Sequence, residues 1–384
     1  MRIGIVYETT FPEFKGGVER WFLQLAEGLS KQSINVQYFN TSGKTISSQS
    51  VQYISLKNNT NSFHKTGQRS IRNTLSFAIS VFKGLKKTEV DILYLSSFPF
   101  FHIWASKIVQ KIFRKRYKIY VEWFELPKAK FWINEFGFPI GITGYLIQQN
   151  SVRQSDVNVA YLESTAHELR QLQTQHQITL RLPGICLEKF VHQNSTFNRD
   201  TIDICQIGRL TKDKQPLLSL SAIKILRDTG WAGTFHLIGS GPLEKEVSKY
   251  VIQNEMTSYV TVHVDVSDAL KEMVLLSSAV LLHPSKREGF GLAIVEAAAL
   301  GVPTILIRNP NNKSTELGVN PSLIAESEDP QELATLLKSV LKDRSKYVKE
   351  CQRWNIDRRR KMLATDSINE LAAHFENLLS AKEN

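Results

Sequence analysis

Short apolar runs alternate with helix-period segments along most of the chain. Residues 2–7, 35–39, 51–54, 91–95, 118–123, 157–161 and 180–182 read as strands. Between them 18–30, 71–87 and 100–114 repeat apolar positions at helical spacing. The second half repeats the pattern. Strands are expected at 203–207, 234–238, 260–264, 280–283, 303–307 and 322–324, with helices at 216–228, 243–253, 267–276, 293–300 and 331–341. Strand–helix alternation of this kind predicts parallel, doubly wound α/β sheets. The stretch 41–69 is polar and irregular, and 193–200, polar and without periodicity, is the expected linker.

The pattern therefore predicts an N-terminal Rossmann-like domain at 1–190 and a C-terminal Rossmann-like domain at 200–356. A last helix, 357–384, is expected to cross back to the first domain. Ligands of such sheets bind at the carboxyl ends of the strands, so a cleft between the two domains is expected to hold the site.

Composition adds little to the fold but narrows the partners. The chain has 384 residues and a net charge of +11, which favours an anionic partner or a merely basic surface. The three cysteines, Cys186, Cys205 and Cys351, form no CxxC and no Cys/His cluster, so zinc and a disulfide framework are not expected. The longest uncharged run, 136–152, is interrupted by glycines and a proline and does not read as a membrane span. A cytoplasmic protein, soluble or peripheral on the cytoplasmic membrane face, is expected. No nucleic-acid-binding module is visible.

Candidate chemistry sits where strands end. After the strand at 280–283 come His283-Pro284-Ser285-Lys286-Arg287-Glu288-Gly289-Phe290-Gly291-Leu292 and an apolar helix that Gly301 stops. A glycine loop opening a helix exposes free N–H groups and a positive dipole end, which suit an anion. Glu288 lies before that helix and Glu296 about one turn inside it, and carboxylates accept hydrogen bonds from sugar hydroxyls. Arg209 and Lys214 follow the strand ending at Gly208 and are candidates to neutralise a diphosphate. Gly16-Gly17 follows the first strand, and Gly239-Ser240-Gly241-Pro242 follows that at 234–238. Each of these glycine features, taken alone, reads equally as an ordinary turn. One anion with sugars on both sides would account for all of them together.

In this order the segments resemble retaining glycosyltransferases of family 4, which have the two-Rossmann-domain GT-B fold. The resemblance rests on Gly16-Gly17-Val18-Glu19-Arg20, Gly208-Arg209-Leu210 with Lys214, Gly239-Ser240-Gly241-Pro242, and Glu288-Gly289-Phe290-Gly291-Leu292 with Glu296. The last pattern is the family's E-x7-E motif. The resemblance implies a nucleotide-diphosphate sugar as donor substrate, no other cofactor and no metal. It places Glu288 on donor-sugar hydroxyls and Glu296 on the ribose. Arg209, Lys214, Gly17 and the Phe290-Gly291-Leu292 backbone would hold the diphosphate, and Gly239 and Gly241 would lie near the base. A glycan or lipid-linked acceptor is implied.

Two positions depart from the family. Phe124 stands where a His is usual, with Glu125 in the acidic position that follows it, and Pro183-Gly184-Ile185-Cys186 replaces an Asn-Gly-x-Asp pattern. These departures keep open a catalytically impaired partner subunit of the same fold. A nucleotide-sugar 2-epimerase is a further alternative, while the absence of GxGxxG argues against a dehydrogenase. A basic cluster of Lys107, Lys111, Arg114, Lys115, Arg116 and Lys118 lies beside Phe98, Phe100, Phe101, Ile103 and Trp104. It reads either as a seat on anionic lipid or as a buried helix with a solvated basic end.

Overall fold

In a computed structural model the chain splits into two compact units, Met1–Gly184 with Lys361–Asn384, and Ile185–Arg360. The structure describes residues 1–9, 16–41, 51–56, 70–172, 177–180, 203–362 and 364–380. The first unit carries β1 (Arg2–Val6), α1 (Gly17–Lys31), β2 (Asn35–Asn40), β3 (Val51–Ser55), α2 (Ile71–Lys86), β4 (Ile92–Ser96) and α3 (Phe101–Ile112). It continues with β5 (Lys118–Trp123), α4 (Ala129–Phe136), α5 (Ile140–Val152), β6 (Val157–Ala160), α6 (Glu163–Leu172) and β7 (Gln177–Leu180). All seven strands are parallel, in the order β3-β2-β1-β4-β5-β6-β7.

Both faces of this sheet are covered, which is why β4 and β6 are buried at every position. Alternation along β4 sends Leu93 and Leu95 to one face, with Phe77, Val81 and Ile103 of α2 and α3. Ile92 and Tyr94 go to the other face, with Trp21, Phe22 and Leu25 of α1.

The second unit holds β8 (Asp203–Ile207), α7 (Pro216–Asp228), β9 (Phe235–Ile238), α8 (Glu244–Gln253), β10 (Val260–His263), α9 (Asp268–Ser277) and β11 (Ser278–His283). Next come α10 (Leu292–Ala299), β12 (Thr304–Ile307), β13 (Ile324–Ala325), α11 (Pro330–Lys342) and α12 (Arg344–Met362). Its six parallel strands run β10-β9-β8-β11-β12-β13. Local signals set the helix starts. Ser267 accepts from the Leu270 amide to cap α9, and Asp329 accepts from the Gln331 amide ahead of Pro330 to cap α11.

The last helix, α13 (Ala364–Ser380), belongs to the first unit. It lays Ile368, Leu371, Ala372 and Phe375 onto the α1 face of the first sheet. The single closing helix expected at 357–384 is thus two helices, α12 and α13, and α12 starts well before 357. Other expectations shift too. The strand expected at 180–182 lies at Gln177–Leu180, and the one at 322–324 at Ile324–Ala325, because Pro321–Leu323 turns as a 3-10 helix first. The expected linker 193–200 lies outside the described residues. No helix among the described residues is long and apolar enough to cross a membrane.

Candidate active site

Strand order fixes where the second unit can bind. The chain winds outward from β8 through β9 to β10, then returns to β11 on the other side of β8. The crossovers leave β8 and β11 in opposite directions, and such a switch point opens a crevice at the strands' carboxyl ends. Three glycine-bearing loops leave the sheet at this edge, after the neighbouring strands β9, β8 and β11.

The loops after β8 and β9 are stitched together through their backbones. Gly208 donates to the Ile238 carbonyl at 3.0 Å, Leu210 to Ser240 at 2.9 Å and Leu243 to Leu210 at 3.0 Å. A Cβ on Gly239 would stand 1.8 Å from the Gly208 carbonyl oxygen, so only glycine permits this approach. Gly239 is therefore required by the packing of two loops, whatever else lies against it. Gly241 donates its amide to the Glu244 carboxylate at 2.7 Å.

Glu288 is the charged centre of the edge. Its Oε2 accepts from Lys214 Nζ at 2.5 Å and from His283 Nε2 at 2.9 Å. The Glu288 and Lys214 side chains are 16% and 14% exposed. Burial alone would raise the Glu288 carboxyl; the Lys214 charge and the His283 hydrogen bond outweigh it and hold the group well below the usual carboxylate range. Lys214 ends a 3-10 turn, and its carbonyl accepts from Gln206 Nε2 at 2.7 Å. Gln215 then takes φ of 50°, which lets α7 start at Pro216.

The Glu288 backbone is pinned as well. Its amide donates to Asn311 at 3.2 Å and its carbonyl accepts from Lys313 at 2.9 Å. Buried Asn312 donates to the Ser285 and Ile307 carbonyls at 3.0 and 2.9 Å.

Past Glu288 the chain turns through Phe290, which is buried, and Gly291, whose φ of 88° lies in the left-handed region. No side chain caps α10, and the amides of Leu292 and Ala293 find no backbone acceptor among the described residues. An uncapped helix start of this kind suits an anion. One turn into α10, Glu296 accepts from Lys271 Nζ at 3.0 Å. Arg209 is exposed, and among the described residues nothing bonds its guanidinium. This edge thus offers two carboxylates of the expected pair, free helix amides and a solvent-facing fork of five donors.

The remaining candidates lie in the first unit. Gly16 and Gly17 open α1, as expected, but the helix's own Glu19 occupies that end. Its Oε1 accepts from Thr9 Oγ1 at 3.0 Å and from the Tyr7 hydroxyl at 3.3 Å, and its Oε2 stands 1.9 Å from where a Gly16 Cβ would be. Glu125 is half-buried just past β5, and Phe124 stacks on Tyr161 with ring centroids 4.7 Å apart. Pro183–Cys186 lies outside the described residues, as does Lys15.

The basic cluster after Phe98 is corrected in part. Phe100 and Ile103 are buried in the core and Trp104 Nε1 donates to Ser151 Oγ at 2.9 Å, so these side chains form the packed side of α3. Sequence reading missed Lys271, His283 as a partner of Glu288, and the Asn312 brace. His283, only five residues before Glu288, carried the one usable signal.

Comparison with known proteins follows the same outline. Residues 188–361 match the family described as "Glycosyl transferases group 1". The capsular polysaccharide biosynthesis glycosyltransferase CapM of Staphylococcus aureus is 26% identical over 216 residues, 52% of this chain and 56% of that protein. The chain spans about half the length of the curated relatives it matches. Among solved structures, sucrose-phosphate synthase from Thermosynechococcus elongatus superposes with a TM-score of 0.80 at 15% identity, covering 99% of both chains. HepE of Anabaena in complex with UDP-glucose does so with 0.73 at 15%, covering 99% of this chain and 100% of that one. The chain therefore has the GT-B fold, two Rossmann-like domains each built on a parallel sheet, and its segment 188–361 matches the group 1 glycosyl transferases.

Proposed function

We propose that the protein is a retaining glycosyltransferase that moves a sugar from a nucleotide-diphosphate sugar to a glycan or lipid-linked acceptor, without a metal ion. The observation that carries this reading is Glu288, kept ionised by Lys214 and His283 beside the uncapped start of α10. The family match over 188–361 and the UDP-glucose held by the structurally similar HepE support it.

In this reading the α10 amides, Arg209 and Lys214 bind the diphosphate. Glu288 orients the donor-sugar hydroxyls, Glu296 takes the ribose, and Gly239 and Gly241 border the base. When the bond from the anomeric carbon to the diphosphate breaks, negative charge grows on the leaving oxygen. Arg209, Lys214 and the helix N-terminus stabilise that charge as it develops. The leaving diphosphate takes the acceptor's proton. A phenyl ring at Phe124 can neither take nor relay one, so the protein needs no base there; Glu125 stays near the acceptor side.

The test is transfer from UDP-glucose and a panel of other nucleotide-sugars, followed by release of the nucleotide diphosphate. Anomeric configuration in the product is read by NMR. Glu288→Ala and Arg209→Ala each lower kcat by about 10²–10³-fold, the usual scale for removing one transition-state contact. Full-rate transfer by either variant sinks the assignment. Donor binding without turnover by the wild type would favour the impaired partner subunit, a reading that Phe124 stacked on Tyr161 keeps in view.

A further inference from the structure

The solvent face of the α2–α3 pair combines apolar and basic side chains in a way the fold does not need. On α2, Ile71, Leu75 and Ile79 are 51%, 44% and 56% exposed and recur every four residues, one stripe along the helix. On α3, Ile108 and Ile112 are 44% and 64% exposed at the same spacing. The two helices cover one face of a parallel sheet, and the Phe82 and Phe113 rings meet edge-on at 6.0 Å near their carboxyl ends. The two stripes therefore belong to one continuous surface.

Charge on the two helices themselves has a single sign. Residues 71–118 contain ten lysines and arginines and two carboxylates, Glu89 and Asp91, and neither helix carries an acid. Glu89 is paired with Lys115, and Asp91 with Arg2. Lys83, Lys86, Lys111 and Arg114 are exposed toward the carboxyl ends of the helices, with Lys86 Nζ 5.1 Å over the Phe113 ring.

Each candidate occupant meets this chemistry differently. A second copy of the chain would bring like charges together. A nucleic acid gains little from isoleucines, which neither stack on bases nor hydrogen-bond to them. An anionic bilayer satisfies both halves, taking the aliphatic side chains at the acyl boundary and the cations at the headgroups.

We propose that the α2–α3 face of the first unit seats the protein on anionic lipid, with Ile71, Leu75, Ile79, Ile108 and Ile112 dipping below the phosphates. The buried side of α3, including Phe100 and Ile103, serves only as the support of that face.

Flotation of the full-length protein with vesicles of phosphatidylcholine alone, or with 30% phosphatidylglycerol added (on the order of a natural anionic fraction), tests it. Binding is expected to the anionic vesicles, to fall with salt, and to drop about 100-fold in Lys83→Ser/Lys111→Ser/Arg114→Ser. Leu75→Ser/Ile79→Ser/Ile112→Ser is expected to lose at least about tenfold. Both sets change exposed positions, so far-UV circular dichroism should match the wild type. An Ile79→Trp variant gives a direct reading, the fluorescence of the introduced indole shifting blue and being quenched by brominated acyl chains. The proposal is overturned if anionic vesicles fail to float the protein at low salt, if neither triple variant weakens binding, or if vesicles leave the added fluorescence of Ile79→Trp unmoved. Equal competition by soluble glycerophosphate, a salt-sensitive RNA complex in place of lipid binding, or a dimer abolished by the Ser substitutions also overturns it.

Discussion

Replacing Lys214 by methionine tests whether the electrostatics of the Glu288 site are as described. The substitution keeps the aliphatic stem and removes the charge. Glu288, 16% exposed, is left with His283 as its remaining side-chain partner among those described. Removing one member of a fully buried ion pair costs about 3–5 kcal/mol. Residual exposure and the surviving histidine reduce this to about 2–3 kcal/mol. For a unit the size of Ile185–Arg360, each kcal/mol moves the transition by about 2–4 °C, so a fall of roughly 5–10 °C is expected.

The pH dependence is the sharper reading. In the wild type the Glu288 carboxyl is depressed, so its contribution is fully present above its ordinary value of 4.5 and is lost only as pH falls below that. In the variant, burial is no longer opposed by Lys214 and pushes the carboxyl upward. Protonation then relieves the buried charge, and the deficit relative to wild type shrinks as pH is lowered from about 8 to about 5. Differential scanning calorimetry of both proteins across that range measures it. A variant within about 1 °C of wild type at every pH, or a deficit that does not change with pH, refutes the reasoning.

Two further outcomes rest on packing. Gly239→Ala sets a methyl 1.8 Å from the Gly208 carbonyl, so the β8 and β9 loops must part. A loss of about 2–4 kcal/mol in the second unit and weaker UDP-glucose binding by calorimetry are expected, whereas wild-type binding would place the glycine loop away from the donor. Phe375→Ala empties a fully buried site against Tyr120 and Tyr94, at 5.1 and 6.1 Å between rings. It should cost about 3–5 kcal/mol in the first unit and leave the second unit's transition in place, and equal shifts in both would contradict the assignment of α13.

What the sequence disclosed depended on how sharply each element's surroundings are polarised. The central strands of both sheets are buried on both faces and bounded by turns, so β5 and β8 are found at their expected limits, and α7 as well, set by Pro216. The 129–136, 140–152 and 163–172 segments were not expected as helices. In α5, Gln148 and Ser151 are buried while Ile140 and Leu146 are exposed, which erases the one-sided pattern that periodicity detects. Helix α12 is rich in charge over its whole length, and its buried side is a narrow one, Tyr347, Cys351 and Trp354 at i, i+4 and i+7.

At the site, the residues within one loop were legible because backbone chemistry ties Gly291 and the α10 start to their positions. Lys271 was not, since its meeting with Glu296 depends on the packing of α9 beside α10, a tertiary fact with no local trace. Asn312 read only as part of a polar turn, although its amide holds the Ser285 carbonyl. In the first unit Gly16-Gly17 was found, but not that Glu19 folds back over it.

The placement of α13 has a consequence for the order of synthesis. The N-terminal sheet of the first unit precedes the whole second unit in the chain, yet Ile368, Leu371 and Phe375, which complete one of its two cores, follow that unit. Domains ordinarily fold as they emerge. Here the N-terminal sheet must wait, with the α1 face uncovered, until the second unit has been translated in full. A nascent chain stalled before residue 364 therefore carries an unsealed first domain however well its second domain has folded.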